Sequence, residues 1–225
     1  MNLSIILPTY NESENLKVLI PEIQQNFKDA DIIVVDDNSP DNTAKVAESL
    51  GVRVINRKRK EGLGAALKQG YNEARHEIII SMDADCSISV KDIFRVIEKL
   101  ENNDLVVGSK YSKSSEARGF SSKKQKILSY LGNKFFIILF RLPVDDVTLN
   151  LRGFTKKVWN QLYLEEKSNV FLLEMLIEAK SKNMRIAQIP IVFSERQYGQ
   201  SKTNLKKLFP LYFQFLLSVI RRGSK

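Results

Sequence analysis

Short, continuous apolar runs alternate with amphipathic stretches along the first half of the chain. The runs at residues 3–7, 31–35, 52–55, 78–82 and 105–107 are rich in Ile, Val and Leu without alternating polar positions, the pattern of strands covered on both faces. Between them, residues 14–27, 43–50, 63–74 and 90–100 carry apolar side chains at helical spacing, with Asp41 or Asn42 and Ser89 placed as N-caps. Strand and helix alternating in this way predict right-handed crossovers, hence an α/β fold with a mostly parallel central sheet and helices on both faces.

In such sheets ligands bind at the carboxyl ends of the strands. That rule gathers Pro8-Thr9-Tyr10-Asn11-Glu12, Asp36-Asp37-Asn38-Ser39, Asp83-Ala84-Asp85 and Gly108-Ser109-Lys110-Tyr111 on one rim. After Tyr111 the pattern changes. Residues 112–126 are polar, basic and rich in serine, and read as a lid over the rim or as an insertion without order. Residues 127–142 predict an apolar helix that is either core or part of a lipid-facing groove. Strand-like segments at 147–154 and 185–193 flank a helix at 169–180 and are expected to extend the sheet with antiparallel pieces. Near the C-terminus, residues 210–220 fall short of the ~20 apolar residues of a spanning helix. Their apolar body, aromatic residues and flanking Lys and Arg suit a helix lying in a membrane interface, and docking on the protein's own core fits as well.

At 225 residues the economical organisation is one α/β domain with a C-terminal appendage. The sequence begins in a strand and shows no cleavable signal pattern. A single cysteine, Cys86, rules out an intrachain disulfide and fits a reducing compartment. The net charge of +9 points to anionic partners: nucleic acid, an acidic membrane surface or phosphorylated small molecules.

Candidate chemistry centres on Asp83-Ala84-Asp85, two carboxylates one residue apart where a buried strand emerges. Hard cations such as Mg²⁺ and Mn²⁺ take carboxylate, phosphate and water oxygens, so this pair and a nucleotide diphosphate can share one ion. One His and one Cys cannot build a usual zinc site. The same D-x-D is also ordinary turn chemistry. Asp36 and Asp37 offer acceptors for ribose hydroxyls or base edges, and Tyr10 offers a ring, although each also suits a plain loop. Gly62-Leu63-Gly64-Ala65-Ala66 is not a dinucleotide fingerprint, and no phosphate-binding G-x-x-x-x-G-K-[ST] occurs. His76 is the only histidine, so no Ser-His-Asp relay exists. Arg196-Gln197-Tyr198-Gly199-Gln200-Ser201-Lys202 sets two cations around a glycine, a grip suited to phosphate oxygens.

These motifs occur together in the order and spacing of a known family. The chain resembles the polyprenol-phosphate glycosyltransferases of the inverting nucleotide-sugar type, most closely the dolichol-phosphate mannose synthases, over nearly all of its 225 residues. The resemblance implies one GT-A type nucleotide-sugar-binding domain over residues 1–202 and an amphipathic, membrane-interfacial C-terminal helix over 203–225. It implies that Pro8, Tyr10, Glu12, Val35 and Asp37 hold the guanosine part of GDP-mannose and that Asp83 and Ala84 lie along the donor. Asp85 becomes the principal ligand of Mg²⁺ or Mn²⁺, with Asp83 and Ser87 as further ligands. Arg196 and Lys202 match a basic pair that embraces the donor and acceptor phosphates, which makes Asp85, Arg196 and Lys202 the catalytic set.

Two departures from the family's residues matter, the second for the acceptor side. Lys110, on the donor list, stands where relatives usually have Arg, which keeps the charge and loses a bidentate fork. Thr148-Leu149-Asn150-Leu151-Arg152 replaces the usual T-S-G-F-R, keeping Thr148 and Arg152, which join Arg118 as acceptor-side residues. The implied partners are a nucleotide-sugar, a polyprenyl phosphate and a membrane surface or membrane-bound partner subunit, with no nucleic acid. The expected location is the cytoplasmic face of a membrane, as a peripheral protein. A phosphate monoester has its second pKa at ~6 and needs no general base to attack the anomeric carbon. An acceptor sugar hydroxyl would need one, and Asp145 or Asp146 would serve. UDP-glucose as donor would leave the fold unchanged.

Overall fold

Leu3, Ile5 and Leu7 of the first strand pack into one apolar cluster and Ile6 into another, so the strand is covered on both faces as its unbroken apolar run requires. The computed structural model describes residues 2–117, 123–199 and 205–223. In chain order the elements are β1 (Leu3–Thr9), α1 (Ser13–Asn26), β2 (Asp31–Asp36), α2 (Thr43–Ser49), β3 (Arg53–Asn56), α3 (Leu63–Glu73), β4 (Ile78–Ser81), α4 (Asp92–Leu100) and β5 (Leu105–Ser109). There follow β6 (Glu116–Ala117), α5 (Lys123–Phe140), β7 (Arg152–Thr155), α6 (Lys156–Trp159), α7 (Phe171–Ser181), β8 (Ile186–Pro190), β9 (Val192–Phe193) and α8 (Leu205–Gly223).

Seven strands form the central sheet in the order β3-β2-β1-β4-β7-β5-β8. All pairs are parallel except those of β7, which runs antiparallel between β4 and β5. One of the two expected antiparallel pieces is therefore parallel instead. The reason lies in residues 162–168, which climb back to the strand ends: Gly64 and Ala65 donate to the carbonyls of Ser168 and Lys167. From there α7 descends, and β8 rises alongside β5. Gly64 permits this contact, since a Cβ on it would stand 2.5 Å from that of Phe171.

The helix starts differ slightly from expectation. Asn42 takes a left-handed conformation (φ 63°) and makes no capping bond, whereas the Asp41 carboxylate accepts from the Thr43 N–H at 3.1 Å. The Ser89 hydroxyl accepts from Lys91, and α4 begins at Asp92.

The serine-rich stretch is neither a free lid nor wholly irregular where it is described. Its Glu116–Ala117 strand pairs in parallel with Val192–Phe193, and α5 starts at Lys123. Helix α8 docks on the core through Phe215, with Tyr212 beside Phe136 at 5.1 Å between ring centroids. Its Phe213 and Leu217 stay exposed, as do Ile127, Leu131, Phe135 and Ile138 along α5. Among the described residues no helix is long and apolar enough to cross a membrane.

Candidate active site

The ends of β1 and β2 are laced together by short polar side chains. Thr9 donates to the Asp36 carboxylate at 3.1 Å, and the backbone N–H groups of Asn11, Glu12 and Ser13 donate to Ser39, Thr43 and Asp41. This leaves Tyr10 at the rim with the Lys60 ammonium 3.4 Å from its ring centroid, a cation held over the ring face. Pro8 is half-buried just below it. Val35 is fully buried in the core cluster with Ile6 and Leu67, so it reaches the rim through its backbone alone.

Asp37 is engaged by the protein itself. Its carboxylate accepts from Arg57 Nη1 at 2.7 Å and from the Glu61 and Gly62 backbone N–H groups at 3.1 and 3.0 Å. Arg57 is also paired with Glu61. Gly62 makes the turn possible, with φ of +105° and the Lys167 carbonyl 2.7 Å from where a Cβ would sit. Asp37 thus fixes a cradle of residues 57–62 beside the rim. Arg57 was legible only as part of a basic cluster, because its partner lies twenty residues earlier.

At the end of β4, Asp85 is buried and held from both sides. One oxygen accepts from the Ser87 N–H at 3.0 Å and from its hydroxyl, and the other lies 3.0 Å from Arg196 Nη2. Arg196 Nη1 lies 3.3 Å from Glu12, so one guanidinium bridges the β1 and β4 loops. Asn15 clamps the segment that carries Arg196, exchanging hydrogen bonds of 3.2 Å with both backbone groups of Tyr198. Asn15 reads in sequence as an ordinary helix residue, and no motif marks it. Ala84 is buried between the two acids.

Burial and the neighbouring Asp85 push the Asp83 carboxyl up to about 7, against the smaller opposing effects of Asn150, Arg196 and Lys110. Two crowded carboxylates of this kind are relieved by a divalent cation. Asp83, Asp85 and the Ser87 oxygen make a hard donor set that fits Mg²⁺ or Mn²⁺. No group of three His, Cys, Asp or Glu side chains among the described residues forms a complete metal cage. The remaining ligands must then come from a bound diphosphate and water.

On the other side of β4, the Lys110 ammonium lies 2.7 Å from Asp146 and 3.1 Å from the Thr148 hydroxyl, with the Tyr111 ring at 5.0 Å. Asp146 also accepts from the Thr148 N–H and hydroxyl, both at 2.9 Å. So engaged, Asp146 is poorly placed to act as a free base, and Asp145 accepts from Gln188 at 2.7 Å. Arg152 departs from its expected acceptor contact. It is fully buried and donates to the carbonyls of Val147, Leu149 and Leu172, with burial pulling its guanidinium down to about 10. It braces the loop that carries Thr148 and is screened from any acceptor. Arg118 and Lys202 lie outside the described residues.

The chain is similar to several known proteins. The chain is 30% identical over 213 residues to an undecaprenyl-phosphate mannosyltransferase of Micrococcus luteus, covering 90% of this chain and 87% of that protein. It is 29% identical over 211 residues to a polyprenol monophosphomannose synthase of Mycolicibacterium smegmatis, covering 88% and 79%. Against a dolichol-phosphate mannosyltransferase of Pyrococcus furiosus it is 32% identical over 93% of this chain, which spans 61% of that longer protein. Among solved structures, a glucosyl-3-phosphoglycerate synthase from Mycobacterium tuberculosis with Mn²⁺, UDP and phosphoglyceric acid shares the fold, with a TM-score of 0.75 at 18% identity over 98% of this chain and 78% of that one. The profile described as Glycosyl transferase family 2 matches residues 4–162, the segment running from β1 through the Asp83–Asp85 pair to α6. By that match and the similarity to polyprenol-phosphate mannosyltransferases, the chain belongs to glycosyl transferase family 2 and is a glycosyltransferase.

Proposed function

We propose that this protein transfers a mannosyl group from GDP-mannose to the phosphate of a polyprenyl phosphate, with Mg²⁺ or Mn²⁺ held by Asp85 and Asp83. The observation that carries the reading is Arg196 bridging Asp85 and Glu12 at the end of β4, where a donor diphosphate would meet both a cation and a guanidinium. The names of the similar relatives support mannose and a polyprenyl acceptor.

In this reading Tyr10 and the Asp37-anchored cradle receive the nucleoside, and Asp83 and Ala84 line the sugar. When bound, the cation supplies positive charge to the departing diphosphate. Arg196 adds to that charge from the opposite side, preset by Asn15, and Lys202 is proposed to join it. Lys110 faces the acceptor phosphate, with Thr148 beside it and Arg118 contributing from the adjoining segment. A phosphate oxygen attacks the anomeric carbon and the bond from that carbon to the diphosphate breaks, so no proton has to be removed. The engaged state of Asp146 agrees with a reaction that needs no base.

The acceptor's lipid tail needs an apolar surface, and the exposed side chains Ile127, Leu131, Phe135 and Ile138 on α5 and Phe213 and Leu217 on α8 offer candidates for it. It suits peripheral contact with the cytoplasmic face of a membrane. Radiolabelled transfer from a panel of GDP- and UDP-sugars into extractable polyprenyl phosphate tests the reading. Metal-dependent label from GDP-mannose is expected, and a preference for a UDP-sugar or a non-lipid acceptor would overturn it.

A further inference from the structure

Asn150 is buried at the edge of the site and has no part in the reading so far. Its Oδ1 accepts from the Ser81 hydroxyl at 2.9 Å, and the Ser81 oxygen lies 2.7 Å from the Tyr71 hydroxyl. Ser81 has one proton. Giving it to Asn150 leaves only lone pairs facing Tyr71, so Tyr71 donates to Ser81. Tyr71 keeps its proton at any ordinary pH, since burial pushes its phenol up to about 12. The chain of hydrogen bonds therefore runs one way, from Tyr71 through Ser81 to Asn150 Oδ1.

That direction sets the amide. With Oδ1 accepting from Ser81, Nδ2 faces away from it; a flipped amide would donate to Ser81 instead but would set its carbonyl oxygen against the Asp83 carboxylate, a repulsive contact. The Asn150 Nδ2 is buried with no partner within hydrogen-bond distance, yet it stands near enough to Asp83 to draw that carboxyl down. Its acidic neighbour is Asp83, whose carboxylate feels the amide. Strand pairing explains the meeting. The antiparallel register of β4 and β7 runs from Ile78↔Thr155 to Ser81↔Arg152, where the ladder ends, and the same register continued two residues past the strand ends leads to Asn150 and Asp83. A buried donor without a partner, aimed at the acid that lines the donor sugar, marks a group that is completed on loading.

We propose that Asn150 is a positioning residue for the nucleotide-sugar, its Nδ2 closing on one oxygen of Asp83 when the donor binds and leaving the other oxygen free for the donor. The inference rests on the proposed nucleotide-sugar site. It makes Tyr71 and Ser81 the core anchor of a side chain that acts through Asp83.

The test uses the full chain with Mn²⁺. Asn150→Leu keeps the volume and removes the amide, and Tyr71→Phe keeps the ring and frees the chain of hydrogen bonds. Losing a hydrogen bond to a charged group should raise the donor KM about tenfold in Asn150→Leu. The acceptor KM should stay within about twofold and the thermal midpoint within about 3 °C. Tyr71→Phe should show the same split at about threefold, because it loosens the amide without deleting it. Calorimetric titration with Mn²⁺ and GDP-mannose, without acceptor, should reproduce the donor loss. An unchanged donor KM, or donor and acceptor KM rising together, overturns the inference. If Asn150→Leu does not fold, Asn150→Ala and Tyr71→Phe carry the same comparison. Wild-type protein that binds the nucleotide-sugar without transferring mannose would sink the proposed reaction, while the binding ratio would still report on Asn150.

Discussion

Arg196 holds Asp85 through one contact, its Nη2 3.0 Å from the carboxylate oxygen that Ser87 leaves open. In the proposed reaction a cation arriving at Asp85 would compete with that guanidinium and release it toward the diphosphate. Arg196→Ala should therefore act with opposite signs on two measurements. Mn²⁺ binding to the nucleotide-free protein should tighten, read by titration calorimetry, while kcat falls about 10²–10³-fold. Weaker Mn²⁺ binding in the variant would show that Arg196 supports the cation instead of standing in for it.

Asp85→Asn should reduce transfer to less than about one per cent of wild type, because it removes the charge that holds the cation. The fold should survive, since the amide can still accept from Ser87. Unaltered activity with full metal dependence would exclude Asp85 as the ligand.

Asp83 gives a pH dependence. Its folded value of about 7 lies above the ordinary 3.8, so between these limits the folded chain holds a proton that the unfolded chain has lost. Stability then falls as pH rises through that window. Asp83→Asn, which cannot ionise, should raise the melting temperature of the metal-free protein at pH 8, and the gain should shrink to nothing near pH 4. A gain that is constant across the range would place the cause elsewhere.

The Lys110–Asp146 pair is buried on both partners. Asp146→Ala strands the ammonium and should cost about 3–5 kcal/mol in urea unfolding. Pairing it with Lys110→Met should restore most of that loss, which an independent role for Asp146 would not allow.

Leu131→Glu and Ile138→Glu should each weaken binding to anionic vesicles about tenfold, the amount expected for losing one buried aliphatic side chain. Both positions are exposed, so the melting temperature should hold. Vesicle binding that survives both changes would place the membrane contact away from α5.

The periodicity of residues 3–107 marked the first five strands and the rim they share, because strands covered on both faces leave an unbroken apolar signature. Motifs located positions without telling which way the side chains point. Val35 and Arg152 both lie within motif segments, yet one packs against Leu67 and the other serves three carbonyls. Only the pairing of each strand with its neighbours, β2 for one and β7 for the other, decides that. Arg57, Asn15 and Asn150 were hidden for the same reason: each gains its meaning from a residue far away in sequence.

The reversed strand β7 means that one chain segment enters the sheet between two that leave it. Residues 146–150 are therefore a party wall, with Lys110 on one side and Asp83 on the other. The wall itself cannot be moved for one room alone: an insertion or deletion within residues 146–150 shifts both faces and should disturb both substrates, whereas exchange of a single side chain, as at Asn150, acts on the face it meets.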